Sequence, residues 1–185
     1  MWQFGYVLWL VTMMNPLGLN WDQSYNEPAK IENYRYLYGD VDYGISVYSS
    51  VEGSFLLAES EIQIYYFAKK ISKALLILGP AGINDDNCLS KHGKVIGLLN
   101  KKYGHYKFTE VRKDPLADDL FYATKCKPVQ LGLYEVKTTW ISKDFKIVVD
   151  FFGDDDGYFI EIEYTNVAKE NSRKKSVIEN ILKKL

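Results

Sequence analysis

The chain has 185 residues, 23 basic and 24 acidic side chains, and a formal net charge of −1 at pH 7. A chain of this length buries roughly 70% of the surface that its unfolded form exposes, so one domain can form a core without a metal ion or a disulfide. The hydrophobic fraction of 47% and the charged fraction of 25% exclude general disorder, and the near-zero net charge excludes a global electrostatic case for nucleic-acid binding. The chain has only 2 His, which limits metal and general-base chemistry.

The N-terminal segment carries no charged side chain before Asp22, and Phe4–Met14 within it is an apolar run. As a helix this run would rise about 16 Å, which is too short for a stable membrane span but fits the apolar region of a secretory signal peptide. No Lys or Arg precedes the run, and a retained core segment or a membrane anchor is the alternative. We treat residues 1–21 as a candidate signal peptide or hydrophobic N-terminal segment. This predicts a periplasmic or secreted protein, with a cytoplasmic one as the alternative.

The cysteine content is two residues, Cys88 and Cys126. In an oxidising compartment they would form a disulfide, which the chain-entropy model values at roughly 4 kcal/mol for a loop of this length. In a cytosolic protein both would be buried free thiols. Export and the disulfide are therefore predicted together.

Alternating apolar and polar residues predict four strands in the first half of the chain, arranged as two hairpins. The strands are Tyr34–Tyr38, Val41–Val47, Glu61–Ala68 and Ile71–Leu78. The first hairpin is expected to turn at Gly39-Asp40 and the second at Lys69-Lys70. Gly79-Pro80 is expected to end the second hairpin.

A helix is predicted after these hairpins, because residues 84–87 supply N-cap side chains and an apolar stripe follows as far as Tyr103. Gly104 is a natural residue to end that helix. Three more strands and a last helix, from about Ser172 to the end, are predicted in the second half. The strands are Tyr134–Trp140, Phe145–Phe152 and Tyr158–Tyr164.

The two halves of the chain follow a similar order, and Lys94–Tyr103 aligns with Ser176–Leu185 at a constant offset of 82. This alignment predicts an internal duplication with repeat units 34–104 and 131–185. Residues 22–185 are accordingly expected to form a single α+β domain, an antiparallel sheet built from hairpins with two main helices packed on one face.

The second half also carries a resemblance to known proteins. A helix that ends in Tyr103-Gly104 is followed by a loop, a strand with Trp140, and two strands that read FKIVVDF and IEIEY. This layout, over about residues 61–166, resembles small uncharacterised exported bacterial α+β proteins with a pseudo-twofold, TATA-binding-protein-like or cystatin-like arrangement. The resemblance implies an exported α+β domain, and it carries over no catalytic residues.

Three sequence patterns that could carry chemistry are incomplete. Cys88 and His92 share a helix face at a spacing that suits zinc, but no second pair of ligands has metal spacing. The calcium-loop register over Asp154–Glu163 has Phe152 at its first ligand position. Ser172–Lys175 matches Ser-x-x-Lys without the companion motifs of penicillin-interacting enzymes. We therefore predict no catalytic residue, no metal and no cofactor.

Tyrosine is the remaining signal, with 15 residues in the chain. The candidate ligand-binding residues are Tyr34, Tyr36, Tyr38, Tyr43 and Tyr48. Aromatic rings with hydroxyl groups suit the recognition of a protein or a small ligand, and the alternative is that these rings fill the core of the sheet. We expect a non-enzymatic binding protein that uses an aromatic-rich open sheet face.

Two other functions are kept as alternatives. The acidic segment 22–62 would suit a cytosolic immunity-type or regulatory protein that binds one partner through that half. An unrecognised hydrolase is the second alternative. No nucleic-acid partner is expected, and the basic last helix is interpreted as a solvated face.

Overall fold

The computed structural model describes residues 19, 21–22, 31, 34–40, 44–50, 60–81, 87–117, 126–154 and 157–182. The strands are β1 (Tyr34–Asp40), β2 (Ile45–Ser50), β3 (Ser60–Phe67), β4 (Lys70–Ala81), β5 (Phe108–Lys113), β6 (Tyr134–Ile141), β7 (Phe145–Asp154) and β8 (Gly157–Asn166). The helices in these ranges are α1 (Cys88–Tyr103), α2 (Lys127–Gln130) and α3 (Val167–Leu182). The predicted signal peptide over 1–21 and Tyr43 lie, apart from residues 19 and 21, outside the described residues.

The eight described strands form one antiparallel sheet in the order β1-β2-β3-β4-β8-β7-β6-β5. Each half of the sheet is a meander of four consecutive strands, and the halves meet where β4 pairs with β8. Helix α1 follows β4, and α3 follows β8. The predicted α+β class with a hairpin-built antiparallel sheet is confirmed. The internal duplication and the packing of two main helices on one face stay predictions.

The core lies on one face of this sheet, which we call the covered face. Because side chains alternate along a strand, the buried apolar side chains of β3, β4, β7 and β8 project to this side. They form two clusters, one centred on Ile62 and Ile64 in the first half and one centred on Ile160 and Phe151 in the second. Every strand residue of both clusters belongs to the covered face by its register.

Helix α1 packs on the second cluster through Val95 and Leu99, which are buried. Its C-terminus is tied to β6, because the indole nitrogen of Trp140 donates to the carbonyl oxygen of Gly104 at 2.9 Å and lies 3.3 Å from Oδ1 of Asn100. The last carbonyls of a helix lack partners within the helix, so the buried indole supplies one. The predicted end of the helix at Gly104 is confirmed.

The N-terminus of α1 is connected to α2 through the two cysteines. The sulfur atoms of Cys88 and Cys126 lie at disulfide-bonding distance, and their Cα atoms are 5.9 Å apart. Both residues are buried in the second cluster. The turn that carries Cys126 packs directly on β7, where a Cβ added to Gly153 would lie 2.6 Å from the Cα of Gln130.

Helix α3 begins beside residues from the start of the chain. The ammonium group of Lys169 hydrogen-bonds to the carbonyl oxygen of Trp21 and forms an ion pair with Asp22 at 3.1 Å. Leu19 is buried in the first cluster, and the ring of Trp21 packs against both clusters. A cleavage after residue 21 would therefore remove two side chains that contribute to the core.

Several element boundaries differ from the sequence prediction, and one strand was missed. The turn predicted at Gly39-Asp40 is wrong, because both residues pair with β2 and a bulge between Tyr36 and Tyr38 lengthens β1. The pairing of β3 with β4 ends at Leu78, directly before Gly79-Pro80 as predicted, but β4 continues beside β8 to Ala81. Helix α3 begins at Val167 rather than near Ser172, and β5 was not predicted at all.

Candidate functional site

The predicted tyrosines of β1 and β2 do not share one surface. Tyr48 is buried in the first cluster. Tyr34 is half-buried beside it, and its hydroxyl lies 2.9 Å from Oγ of Ser60. Tyr36 is 41% exposed and packs edge-to-face on Tyr48, with 5.5 Å between the ring centroids. These three rings all project to the covered face.

Tyr38 lies on the opposite face and is 61% exposed. The bulge in β1 causes this change, because it places Tyr38 opposite Val47, whose register belongs to the other side of the sheet. The alternation that placed Tyr34, Tyr36 and Tyr38 together is thus broken by one inserted residue. Ligand binding by the five tyrosines stays a prediction.

The other side of the sheet, which we call the open face, contributes no residue to either apolar cluster. Its side chains come from the alternate positions of β3, β4, β8, β7 and β6, and most of them are partly exposed. The central members are Glu61, Gln63, Tyr65, Lys73, Leu75, Ile77, Val148, Asp150, Phe152, Phe159, Glu161, Glu163 and Lys137. This mixed surface is the candidate binding site.

A chain of polar contacts crosses the first half of the open face. The amide of Gln63 donates to Glu61 at 2.7 Å and accepts a hydrogen bond from the hydroxyl of Tyr65 at 2.6 Å. The ammonium group of Lys73 lies 4.1 Å from the centre of the Tyr65 ring and 3.4 Å from a carboxylate oxygen of Glu163. These contacts hold the side chains in fixed positions while leaving them accessible.

A second set of charges lies on β5, β6 and β7. Lys137 forms an ion pair with Asp150 at 2.7 Å, and Glu135 binds Arg112 at 3.0 Å. The hydrogen bond from Lys137 to Asp150 raises the pKa of the lysine. The other carboxylate oxygen of Asp150 is buried and has no hydrogen-bond partner among the described residues.

Glu161 differs from the other charged residues of the open face. It lies directly opposite Asp150 on the neighbouring strand, and within the described ranges it takes part in no hydrogen bond or ion pair. Partial burial is the main cause that raises its pKa, and the nearby carboxylates of Asp150 and Glu163 raise it further. The ammonium groups of Lys73 and Lys137 act in the opposite direction and only partly offset this rise. A half-buried carboxylate between two others is a position where a cation would be stabilised.

Glu161 also has apolar neighbours, one along its own strand and one across it. Phe152 and Phe159 stack next to the Asp150–Glu161 pair, with ring centroids 5.5 Å apart and an interplanar angle of 16°. On the other neighbouring strand, Ile77 lies opposite Glu161. The site therefore combines an unpaired carboxylate with flat aromatic and aliphatic surface.

His92 and Cys88, the residues of the rejected zinc pattern, are not arranged for catalysis. The imidazole of His92 stacks on Phe151 at 4.7 Å, and burial lowers its pKa to about 4. Cys88 lies at disulfide distance from Cys126, so its sulfur is not a free nucleophile. Within the part of the chain that the structure describes, no group of three or more His, Cys, Asp or Glu side chains could hold a metal ion.

Two shallow depressions lie away from the open face. One lies between the β3–β4 turn and α3 and is lined by Phe67, Lys70 and Lys169. The other lies beside the end of β5 and is lined by Arg112 and Asp114. Neither depression brings a hydroxyl or thiol nucleophile together with a histidine.

Comparison with protein-family models, with curated proteins and with solved structures found no match to this chain. Among the described residues, no helix is both long enough and apolar enough to cross a membrane. The surface described above is therefore interpreted from its own chemistry.

Sequence reasoning missed Glu161, Asp150 and the Phe152–Phe159 pair as a candidate site. One signal was available, because the alternation in Tyr158–Tyr164 places Glu161 on the side opposite the core-forming residues. Its neighbours depend on the register between strands, which the sequence pattern does not specify.

Proposed function

We propose that this chain is an exported, non-enzymatic binding domain. Its open face binds a protein partner, and the partner contributes a cationic side chain to the contact. The observation that carries the proposal is Glu161, a half-buried carboxylate with no hydrogen bond or ion pair among the described residues. It lies on the open face, whose central side chains include both charged and apolar groups. Such a surface favours a protein partner that buries one well-placed charge among apolar contacts.

Arginine is the side chain that fits this surface best. Its planar guanidinium can bind a carboxylate through two parallel hydrogen bonds and can stack on an aromatic ring at the same time. Glu161 supplies the carboxylate, and the neighbouring Phe152–Phe159 pair supplies the aromatic surface. A lysine would satisfy the charge but would not stack in the same way.

The placement outside the cytoplasm is supported by the two cysteines. Cys88 and Cys126 lie at disulfide distance and are both buried, a geometry that an oxidising compartment would convert into a covalent bond. The apolar run near the N-terminus is the second support for export.

The binding proposal is tested by NMR titration with a defined probe, the peptide acetyl-Leu-Arg-Leu-amide. We expect amide shifts concentrated in residues 148–152 and 159–163, and we expect their loss in Glu161→Gln. The same peptide with citrulline in place of arginine keeps the shape and removes the charge, so it should cause no such shifts. Asp144→Asn, which removes a carboxylate on an exposed turn, is the matched control and should bind like the wild type.

Two outcomes would reject a role for Glu161. One is equal shifts with the citrulline peptide, which would indicate purely apolar binding. The other is unchanged binding in Glu161→Gln while Asp144→Asn is also unchanged.

The export proposal is tested separately by N-terminal sequencing and thiol titration of protein recovered without reductant. We expect no free thiol and, in the extracytoplasmic fraction, an N-terminus processed before Leu19, which keeps Leu19 and Trp21 in the core. An intact Met1 in cytoplasmic protein with two free thiols would exclude export.

A further inference from the structure

The two edge strands of the sheet differ in how regular they are, and therefore in how easily another strand could pair with them. Strand β1 forms one edge and contains the bulge between Tyr36 and Tyr38. Strand β5 forms the other edge, its six residues are all exposed, and its pairing with β6 is regular from Phe108 to Lys113. Bulges protect sheet edges from pairing with another chain, so β5 is the edge on which a further strand can be added.

The backbone groups on the outer side of β5 can be assigned from its ladder. The amide of Asp114 donates to the carbonyl of Leu133 at 2.8 Å, in continuation of the β5–β6 register. Hydrogen-bonded and non-hydrogen-bonded pairs alternate along an antiparallel ladder, so Arg112 and Glu110 also direct their backbone groups towards β6. Thr109, Val111 and Lys113 therefore present their N–H and C=O groups outwards.

We infer that two copies of this chain pair through β5, antiparallel and about a two-fold axis at Val111. In this register Val111 of one copy is opposite Val111 of the other, and Thr109 is opposite Lys113. The outward N–H and C=O groups of Val111 then pair with those of Val111 in the other copy. Val111 is 54% exposed in the single chain, so its side chain gains an apolar neighbour.

The charges of β5 select this register. Glu110 and Arg112 flank Val111 and both project to the open face. In the two-fold pairing, Glu110 of one copy is opposite Arg112 of the other, and this contact occurs twice. A shift of two residues in either direction would instead place Glu110 against Glu110 or Arg112 against Arg112, and like charges directly opposite are unfavourable.

The side chains that form these contacts are available. Arg112 is 70% exposed although it binds Glu135, and a guanidinium has five donors, so it can bind a second carboxylate. Glu110 forms no ion pair or hydrogen bond among the described residues. The pairing does not depend on the proposed binding of arginine at Glu161, and it would join two open faces into one continuous surface.

The first test is Val111→Cys in the full, oxidised chain. Residues opposite each other at a hydrogen-bonded position have Cα atoms about 5.5 Å apart, within the range of a disulfide. We expect a covalent dimer under mild oxidation. Ile141→Cys, at the exposed end of the neighbouring strand β6, is the control and should stay monomeric on a non-reducing gel. Equal cross-linking of both variants, or none of Val111→Cys, would overturn the inference.

The second test exchanges the charges. Light scattering should show a dimer for the wild type at high micromolar concentration and at least a tenfold weaker association for Glu110→Arg. The double variant Glu110→Arg with Arg112→Glu should restore association, because opposite charges still meet between the copies. Both variants carry Glu135→Gln, so that the carboxylate introduced at position 112 does not lie opposite Glu135. Asp144→Arg is the control for a charge reversal elsewhere and should remain dimeric. A monomeric wild type, or a double variant no better than the single one, would contradict the pairing.

A third variant tests whether the outward backbone N–H groups of β5 form the interface. Val111→Pro removes an outward N–H group and leaves the bonds to β6 intact, since proline is tolerated where the N–H of an edge strand faces solvent. It should fold, as judged by an unchanged circular dichroism spectrum, and should not dimerise. A folded Val111→Pro variant that still dimerises would exclude β5 as the interface.

Discussion

Burial in the fold strongly opposes the ionisation of His92. Its ring stacks on Phe151, and its Nε2 atom is buried without a hydrogen-bond partner in the described structure. Burial disfavours the charged imidazolium, which is why the pKa falls from 6.5 to about 4. The residue acts as a neutral aromatic side chain in the core rather than as an acid or a base.

This burial predicts how stability depends on pH. Above about pH 6.5 the imidazole is neutral in both states, so its favourable packing is fully present. Between pH 6.5 and 4 the unfolded chain binds the proton first, and stability falls by roughly 1.4 kcal/mol for each pH unit. At pH 5 the loss from His92 should be about 2 kcal/mol.

Urea unfolding at pH 7 and pH 5 measures this effect. In His92→Phe the loss between the two pH values should be smaller than in the wild type by that amount, because phenylalanine keeps the stack and does not titrate. Equal pH dependence in both proteins would show that the histidine is not buried as described.

At the residue scale, local pattern predicted the core better than it predicted the site. The alternation around Ile160 and Ile162 was enough to assign them to the core. The same alternation failed for Tyr38, since a bulge changes the facing of every residue beyond it and leaves no reliable mark in the sequence. The prediction that Tyr34, Tyr36 and Tyr38 share one face assumed that the alternation continues without a bulge.

Among the elements, the short helix α2 connects the two cysteines to the sheet by packing closely on β7. Its first turn carries Cys126, and its backbone rests on β7 so closely that only a glycine fits at position 153. A Cβ there would lie 2.6 Å from the Cα of Gln130, and backbone atoms cannot move aside as a flexible side chain could.

Gly153→Ala should therefore destabilise the protein by about 1–3 kcal/mol, the usual cost of overpacking. Gly93→Ala on α1 is the matched control, because a Cβ at Gly93 would have no neighbour within 4 Å. That control should gain up to about 1 kcal/mol, since alanine favours a helix more than glycine does. Chemical denaturation of both variants gives the comparison, and two changes of the same sign would refute the close contact.

Most elements were predictable, and β5 shows why an edge strand was not. The hairpin of β7 and β8 was evident from two alternating runs around a turn rich in Asp and Gly. Strand β5, which reads FTEVRK, shows no apolar alternation because it is an edge strand with every residue exposed. A strand that buries few apolar side chains has no apolar–polar alternation in its sequence. For this reason β5, the strand proposed for self-association, could not be predicted from the sequence.

For the whole molecule, the decisive feature is the pairing of β4 with β8, which joins the two meanders. Leu76 of β4 lies opposite Ile162 of β8, and these residues are far apart in the chain. No local pattern specifies such a pairing, so the sequence predicted two sets of hairpins but not the order in which they meet. The candidate site follows from that order, because Glu161 has Ile77 on one side and Asp150 on the other only after the halves join.

The junction predicts that both halves unfold together. Leu76 packs against both apolar clusters, so its loss should weaken both. Leu76→Ala should cost about 2–4 kcal/mol, in the range for truncating a core leucine that is not fully buried. Native-state hydrogen exchange measures the distribution of this loss. Amides of β3 and of β7 should lose protection by the same free energy, because a single cooperative unit transmits the change to every strand. Loss confined to β3, with β7 unchanged, would instead indicate two halves that unfold independently.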